Sequence, residues 1–519
     1  MPIRFDIDIE LFALPGVPSP DAAALQLEVT RGLVELWSEM GLPAEPVVSV
    51  RNSPEPADLF DFSLRLGGQW VPVPVFRFDR PAPPLAFRIL TAIFAQRTRL
   101  ASDELLRLLR DQYFSQSKTP PSWSSAPLSV WRALADLLLQ NGFSLDRLAV
   151  CLEHWQPENG PEEAFERLIE NMEALTLTVV VRPEMAAAYS ADDPGPETRF
   201  PEFYVQAYQD LGIVLPQIQL KTSDELLPGH FQLRLNDLVV PVLPGLGIGA
   251  ALYDGPAAAP VYLPTAGIFF ENKQIPHAPG ETPVVGGPWA YLQDWLQYWV
   301  HQNAGWYVNT GILETLLDGL EESNRSLIVM TREQWPTRRL CAVLRILLRE
   351  HVSIRNLSEI LEVLLRLDGT LAVDETQYLP FFAPVSRVSP VAPGMPEGML
   401  SDAQLAGQVR AGLRYPVVFP HLKSGLLSAY KFSEHTLRDF REGFFQHAEP
   451  RQGTAFRALL QALFEQTAED WPKPVFLAPT GIRPAIVAAL RPYIPEIVVL
   501  GYDEVPPIFL LIEKATIRP

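Results

Sequence analysis

Cysteine is nearly absent: Cys151 and Cys341 are the only two in 519 residues. A secreted disulfide framework and a cysteine-based zinc cluster are both excluded, and a reducing compartment follows. Basic residues are outnumbered, 42 Lys and Arg against 61 Asp and Glu, for a net charge of -19. A phosphate-rich surface would repel such a chain, which argues against nucleic acid or an anionic membrane as partner. Long apolar runs are missing as well. The most apolar stretch, Leu238 to Phe270, has Asp254 as its only charge, but Pro241, Pro244, Pro256, Pro260 and Pro264 cut it into short pieces. None approaches the roughly 20 residues a membrane helix requires. The N-terminus, MPIRFDIDIELFALPG, lacks the basic and apolar regions of a signal peptide, so the expected location is the cytoplasm.

Catalytic signatures are equally scarce. His154, His230, His277, His301, His351, His421, His435 and His447 are scattered without the paired spacing that puts two metal ligands on one helical face. The glycine run from Gly245 to Gly249 is followed by no basic residue and opens no helix, so it reads as a turn rather than a phosphate cradle. Asp192 and Asp193 stand beside Pro194 and Gly195, the setting of a solvated loop rather than of a buried acid dyad. No nucleophile elbow or P-loop lysine occurs. The expectation is therefore no enzyme, no cofactor and no metal.

What is present is a globular composition, 47% hydrophobic and 20% charged, long enough for about three or four domains. Fifty-one prolines, about twice the usual share, imply many short, sharply bounded elements. The chain also repeats itself. Phe62 to Val73 (FSLRLGGQWVPV) aligns without gaps on Phe231 to Val242 (FQLRLNDLVVPV). Each reads as a hairpin, with an alternating strand, a turn at Gly67-Gly68 or Asn236-Asp237, and a return strand. Upstream, Leu33 to Val50 resembles Tyr204 to Leu220: a helix closes at Gly41 or Gly212 and an alternating strand follows. Downstream, Leu134 to Leu148 (LADLLLQNGFSLDRL) matches Val343 to Leu357 (VLRILLREHVSIRNL), a helical hairpin in which Ser144 or Ser353 caps the second helix.

These blocks define a multidomain α+β chain: tandem α+β plus helical subdomains, a degenerate internal repeat, and then a C-terminal α/β subdomain. The expected boundaries are 1–80 and 81–170 for the first copy, and 171–288 and 289–370 for the second. A Pro-rich linker at 371–400 and the α/β subdomain at 401–519 complete the chain. The second copy holds an extra segment, roughly Pro244 to Pro288. In the last subdomain a strand is expected at Pro474 to Ala478, with Thr480 as N-cap of a helix at Arg483 to Leu490 and strands at Ile497 to Leu500 and Ile508 to Ile512.

Two motifs carry a resemblance. Leu347, Leu348, Arg349, Glu350, Val352, Ser353, Ile354, Arg355 and Leu357, followed by Ile360, Leu361 and Glu362, form one. Arg483 and Pro484, then Val499, Leu500, Gly501, Tyr502, Asp503, Glu504 and Val505, form the other, with Gly501 and Asp503 where Ser and Asn are usual. The sequence so resembles the FHIPEP family, the FlhA- and SctV-type export-gate proteins of flagellar and injectisome type III secretion. The resemblance covers about 175 to 519 and includes the cytoplasmic part only, since no membrane domain accompanies it. It implies a four-subdomain cytoplasmic fold, a homo-oligomeric ring, and docking of export chaperones, substrates or the ATPase complex. A membrane-embedded export protein is a further implied partner, at the inner-membrane secretion apparatus. The segment 244–288 sits where the family inserts a small subdomain framing a chaperone groove, and is shortened here.

Candidate partner contacts are aromatic. Residues 291–300 form a helix with Leu292, Trp295, Leu296 and Trp299 on one stripe, which reads as core, while Trp289 and Tyr298 fall outside it and are expected to anchor a partner. Phe269, Phe270, Phe381 and Phe382 are further candidates. Arg338, Arg339, Arg345 and Arg349 form a basic helix face, solvated or set against an acidic neighbour. Two alternatives to a docking ring stay open: a monomeric regulator or decoy of the ring, and an uncharacterised enzyme.

Overall fold

The computed structural model describes residues 3–13, 20–56, 60–74, 83–116, 122–170, 172, 175–190, 200–246, 251–253, 259–263, 267–272, 284–367, 400–445, 454–470 and 473–518. Two compact units divide the chain, 1–71 with 76–311 and 72–75 with 312–519. The sequence block 289–370 is thus shared between them, and the expected linker at 371–400 lies outside the described residues apart from Leu400.

The first unit opens with β1 (Ile3–Ala13), α1 (Ala22–Glu39), β2 (Ala44–Pro56), β3 (Phe62–Leu66) and β4 (Gln69–Val71). β1 is a strand because Phe5, Ile7, Ile9 and Leu11 alternate with Asp6, Asp8 and Glu10, and the apolar set is buried. The Asp21 carboxylate starts α1 by accepting from the amides of Ala23 and Ala24 at 2.9 and 3.3 Å. That helix buries Leu25, Val29, Leu33, Leu36 and Trp37, and the Trp37 ring meets Phe5 at 5.7 Å. The sheet order is β2-β1-β3-β4, with β1 parallel to β2 and antiparallel to β3, and β3 antiparallel to β4. Six helices follow: α2 (Leu85–Ala95), α3 (Arg97–Leu100), α4 (Asp103–Gln116), α5 (Leu128–Gln140), α6 (Leu148–Glu153) and α7 (Pro161–Glu170).

The topology then recurs. After β5 (Leu177–Val181), α8 (Pro183–Ser190) and α9 (Pro201–Leu211) come β6 (Ile218–Thr222), β7 (Phe231–Leu235) and β8 (Leu238–Val239). Their sheet has order β6-β5-β7-β8 with the same parallel and antiparallel pairings. Matching positions adopt matching backbone: Gly41 and Gly212 end their helices at φ +66° and +75°, and Gly67 and Asn236 turn their hairpins at φ +56° and +55°. The extra segment contributes an antiparallel sheet of order β10-β11-β9-β12, from β9 (Ala251–Tyr253), β10 (Ala259–Leu263), β11 (Gly267–Asn272) and β12 (Val284–Gly286). The helix α10 (Pro288–Gln302) ends the series.

Within this unit the first copy sits on the second. Arg234 of β7 holds Glu39 of α1 through two bonds of 2.7 Å, and Gln232 donates to Glu35 at 2.8 Å. Beyond α5, the Gly142 carbonyl accepts from the amides of Asp237 and Leu238 at 3.0 and 3.2 Å, and Asn236 donates to the Asn141 carbonyl. Arg147 pairs with Asp237. The buried stripe of α10 meets α2 edge-on, Trp295 against Phe87 at 5.5 Å and Trp299 against Phe94 at 5.9 Å.

The second unit takes in α11 (Thr310–Gln334), which folds back at Asn324 (φ -137°, ψ 46°). Arg332 closes that bend on Glu314, Asp318 and Glu321 at 2.5 to 3.0 Å. It continues with α12 (Thr337–Arg349), α13 (Leu357–Leu367), α14 (Asp402–Leu413), α15 (Tyr415–Val418), β13 (Leu426–Phe432), α16 (Glu434–Arg441), α17 (Thr454–Gln466), β14 (Val475–Ala478), α18 (Arg483–Leu490), β15 (Val498–Gly501) and β16 (Leu510–Ile517). Its sheet, β15-β14-β13-β16, is parallel throughout, the α/β layer read from the sequence.

The helical hairpin repeats to the hydrogen bond. Asn141 bonds back to Leu137 and Leu138, and Phe143 to Leu138; Glu350 bonds to Ile346 and Leu347, and Val352 to Leu347. Between them Gly142 and His351 take φ +81° and +59°. Ser144 then accepts from Asp146 at 3.2 Å, and Ser353 from Arg355 at 3.3 Å. These serines cap the turn that leads into the second helix rather than the helix itself, because that helix starts at Leu148 or Leu357.

Candidate docking site

The two sequence motifs meet in the second unit. α12 presents a fully apolar face, Leu340, Val343, Leu344, Leu347 and Leu348, and ends so that Glu350 projects from its C-cap. In the motif Val352, Ile354 and Leu357 are core, Ser353 is the turn cap, and Arg355 is exposed. Glu350 reaches Arg483 at 3.0 Å and Arg410 at 3.4 Å. Glu504, wholly buried, accepts from Arg410 Nε at 2.8 Å and from the Gly501 amide at 2.9 Å, with Arg483 at 3.6 Å. Two guanidinium groups and two carboxylates therefore neutralise one another out of water, the condition for buried charges to be tolerated. Pro484 occupies the first turn of α18, where its missing amide costs nothing.

A cavity of about 20 Å³, room for one water, adjoins this cluster and is bordered by His351, His421 and Arg491 among others. Burial, then the positive charges of Arg410 and Lys473, hold His421 down to about 4, so it is neutral at pH 7. Arg491 donates to the Arg349 carbonyl at 2.7 Å and is itself lowered, by burial first. The paired charges tie the loop after α12 to α14, α18 and the turn after β15. Among the described residues no group of three His, Cys, Asp or Glu side chains is placed to hold a metal.

Arg410 was not singled out by sequence. It lies on the buried face of α14 with Leu405, Ala406, Val409 and Leu413, and a lone arginine in an apolar stripe is the signal that would have found it. Thr480 is not the cap of α18. Its hydroxyl donates to Asp503 at 2.9 Å, while Ile482 stands at the N-cap without a side-chain bond. A β-carbon at Gly501 would lie 2.5 Å from the Thr480 oxygen, so Gly501 and Asp503, the two departures from the usual motif, are parts of one arrangement. Tyr502 is exposed at its edge.

The aromatic candidates fall differently. Leu292, Trp295, Leu296 and Trp299 are buried as expected. Trp289 and Tyr298 are half-buried and pack on their own chain, Trp289 against Phe200 at 6.4 Å and Tyr298 between Trp295 and Trp299 at 5.8 and 5.7 Å. Phe269 and Phe270 are in β11, opposite Val261 and Pro260. Phe381 and Phe382 lie outside the described residues. In the basic face of α12, Arg339 pairs with Asp402 at 3.3 Å. Among the described residues no helix is long and apolar enough to cross a membrane.

With this geometry in hand, residues 147–379 match the FHIPEP family, which takes in the first motif whole. That match takes in a little under half of the chain. FHIPEP proteins are export-gate proteins of type III secretion, not known as enzymes. The CdsV protein of Chlamydia pneumoniae is similar in fold, with TM-score 0.53 and 15% identity, over 67% of this chain and 99% of that one. CdsV in its complex with CdsO gives TM-score 0.50 and 15% identity over 67% and 100%. The MxiA protein of Shigella flexneri gives 0.47 and 18% over 67% and 100%. No curated protein matches the sequence. The FHIPEP match begins at Arg147, so β1 to β4 and α2 to α5 precede it.

Proposed function

We propose that this protein is a non-enzymatic docking and assembly component of a type III secretion export apparatus. It would work on the cytoplasmic side, binding export chaperones, substrates or the ATPase complex as a homo-oligomeric ring. The observation that carries this reading is the convergence of the two sequence motifs: Glu350, inside the FHIPEP match, with Arg483 and Glu504 of the second motif, makes one buried cluster that fixes the hairpin after α12 to the α/β layer. A cluster of that kind builds a rigid platform, which lowers the cost of capturing partners. CdsV, similar in fold, has been solved in complex with CdsO, which supports a second protein as the thing bound.

The test is pull-down of purified export chaperones and ATPase-complex proteins by the full chain. Saturable capture is expected, and no capture of any of them sinks the reading. A second reading, a monomeric regulator or decoy, is favoured by one observation: the first copy covers the β7–β8 hairpin and the α10 stripe of the second within the same chain. Light scattering separates the two, since a ring gives several times the 58.0 kDa chain mass and the regulator gives that mass once.

A further inference from the structure

β16 is an end strand of its sheet. It pairs with β13 on one side, and among the described residues no strand pairs with the other. Open edges of this kind are usually blunted by charge, proline or a bulge. Here the strand's two charges are engaged within the chain: Glu513 accepts from Lys431 at 2.6 Å, and Lys514 donates to Asp470 at 2.6 Å. What remains at its start is apolar. Leu510, Leu511 and Ile512 are 63%, 38% and 41% exposed, and Ile508 just ahead is exposed too. Successive side chains point to opposite faces of a strand, so apolar groups are uncovered above and below the edge at once. Where the strand begins, Phe509 meets Tyr415 at a tilt, 5.4 Å between ring centres, and Tyr415 stacks on Phe419 at 5.3 Å; both Tyr415 and Phe419 are exposed.

We infer that this edge is a strand-addition site, taking an extended segment of another protein that carries apolar side chains on both faces and neutral or basic charge. The geometry selects the occupant. A helix laid on one face would leave the other wet and the edge amides and carbonyls unpaired, whereas an added strand satisfies the main chain and covers both faces. At this edge a second copy of the chain is the poorer occupant, since each copy brings a net charge of -19 against the other, which a neutral or basic segment does not. The inference deepens the docking reading and rests on it for the identity of the partner, though not for the geometry of the edge.

The probe is a fluorescein-labelled peptide of four Ile-Val repeats between lysine pairs, followed by anisotropy with the full chain. Saturable binding is expected, weakened at least about tenfold when prolines replace the isoleucines, because the peptide then lacks the amides that donate to the edge carbonyls. The double variant Leu511→Lys and Ile512→Lys should weaken it as much, with an unchanged melting curve; should that variant melt early, Leu510→Ser, at the most exposed of the three positions, replaces it. No binding, or binding indifferent to the prolines and the variants, overturns the site. A wild-type mass that doubles with concentration and stays single in the variant overturns the choice of occupant and assigns the edge to a second copy. Because the probe is synthetic, its failure and a failed pull-down of secretion proteins are separate results.

Discussion

Gly142 illustrates how much one missing side chain can decide. Its φ of +81° already disfavours any L-residue, and a β-carbon there would lie 2.3 Å from the Trp306 ring. Gly142→Ala should therefore cost roughly 2 to 4 kcal/mol, strain and overpacking together, in urea unfolding. Gly68→Ala is the control, since at φ +76° nothing stands within 4 Å; it should cost only about 1 to 2 kcal/mol. At Gly501 the obstacle is the Thr480 hydroxyl at 2.5 Å. Gly501→Ser should destabilise by about 1 to 3 kcal/mol, and adding Thr480→Ala should return most of it in a double-mutant cycle. Additive costs would show that the two positions are not coupled.

Among the elements, α14 stands out because it carries a charge into the core. Arg410→Met leaves Glu504 short of its nearest partner, so a loss of about 3 to 5 kcal/mol is expected by chemical denaturation, and Arg410→Met with Glu504→Gln should lose clearly less. His421, three residues past α15 in a short helical turn, gives the same region a pH dependence. Its folded value of about 4 lies below the 6.5 of the free side chain. Between those values the unfolded chain holds the extra proton, so stability is full above the window and falls as pH drops through it. For a side chain in partial contact with solvent the loss is roughly 2 kcal/mol, and His421→Gln should flatten that part of the wild-type curve between pH 7 and pH 4.

Elements were legible wherever a local pattern fixes them. The hairpin turns at Gly67 and Asn236, the helix ends at Gly41 and Gly212, and α18 with Pro484 in its first turn could be read because turn and proline chemistry is written in neighbouring residues. β1 is also written locally, in the alternation Phe5-Asp6-Ile7-Asp8-Ile9-Glu10-Leu11. The cluster of Glu350, Arg410, Arg483 and Glu504 was half visible. Three members sit in the motifs, but their meeting depends on residues 60 to 133 positions apart, which no local pattern encodes. Thr480 is not the cap because α18 begins at Arg483 with Ile482 at its N-cap, and the Thr480 hydroxyl donates instead to a distant carboxylate, Asp503.

For the molecule as a whole, the repeat matters through the way one copy rests on the other in the first unit. Glu39 and Arg234 are each about one-third exposed, so their two-pronged pair is worth about 0.5 to 1 kcal/mol. Glu39→Arg or Arg234→Glu alone should lower the melting temperature, and the two together should restore it. If the double variant is no better than the worse single one, the pair does not hold the copies together. The aromatic seam of Phe87 and Phe94 against Trp295 and Trp299 supplies the larger, salt-insensitive share of that contact.

The meeting of Gly142 and Trp306 also acts as a ratchet between the two halves. His351 shows that the same backbone bend accepts a side chain at the later position. The two hairpin sequences are therefore interchangeable in one direction only: glycine moved to the later position should be tolerated, whereas histidine moved to the earlier one should strike the ring.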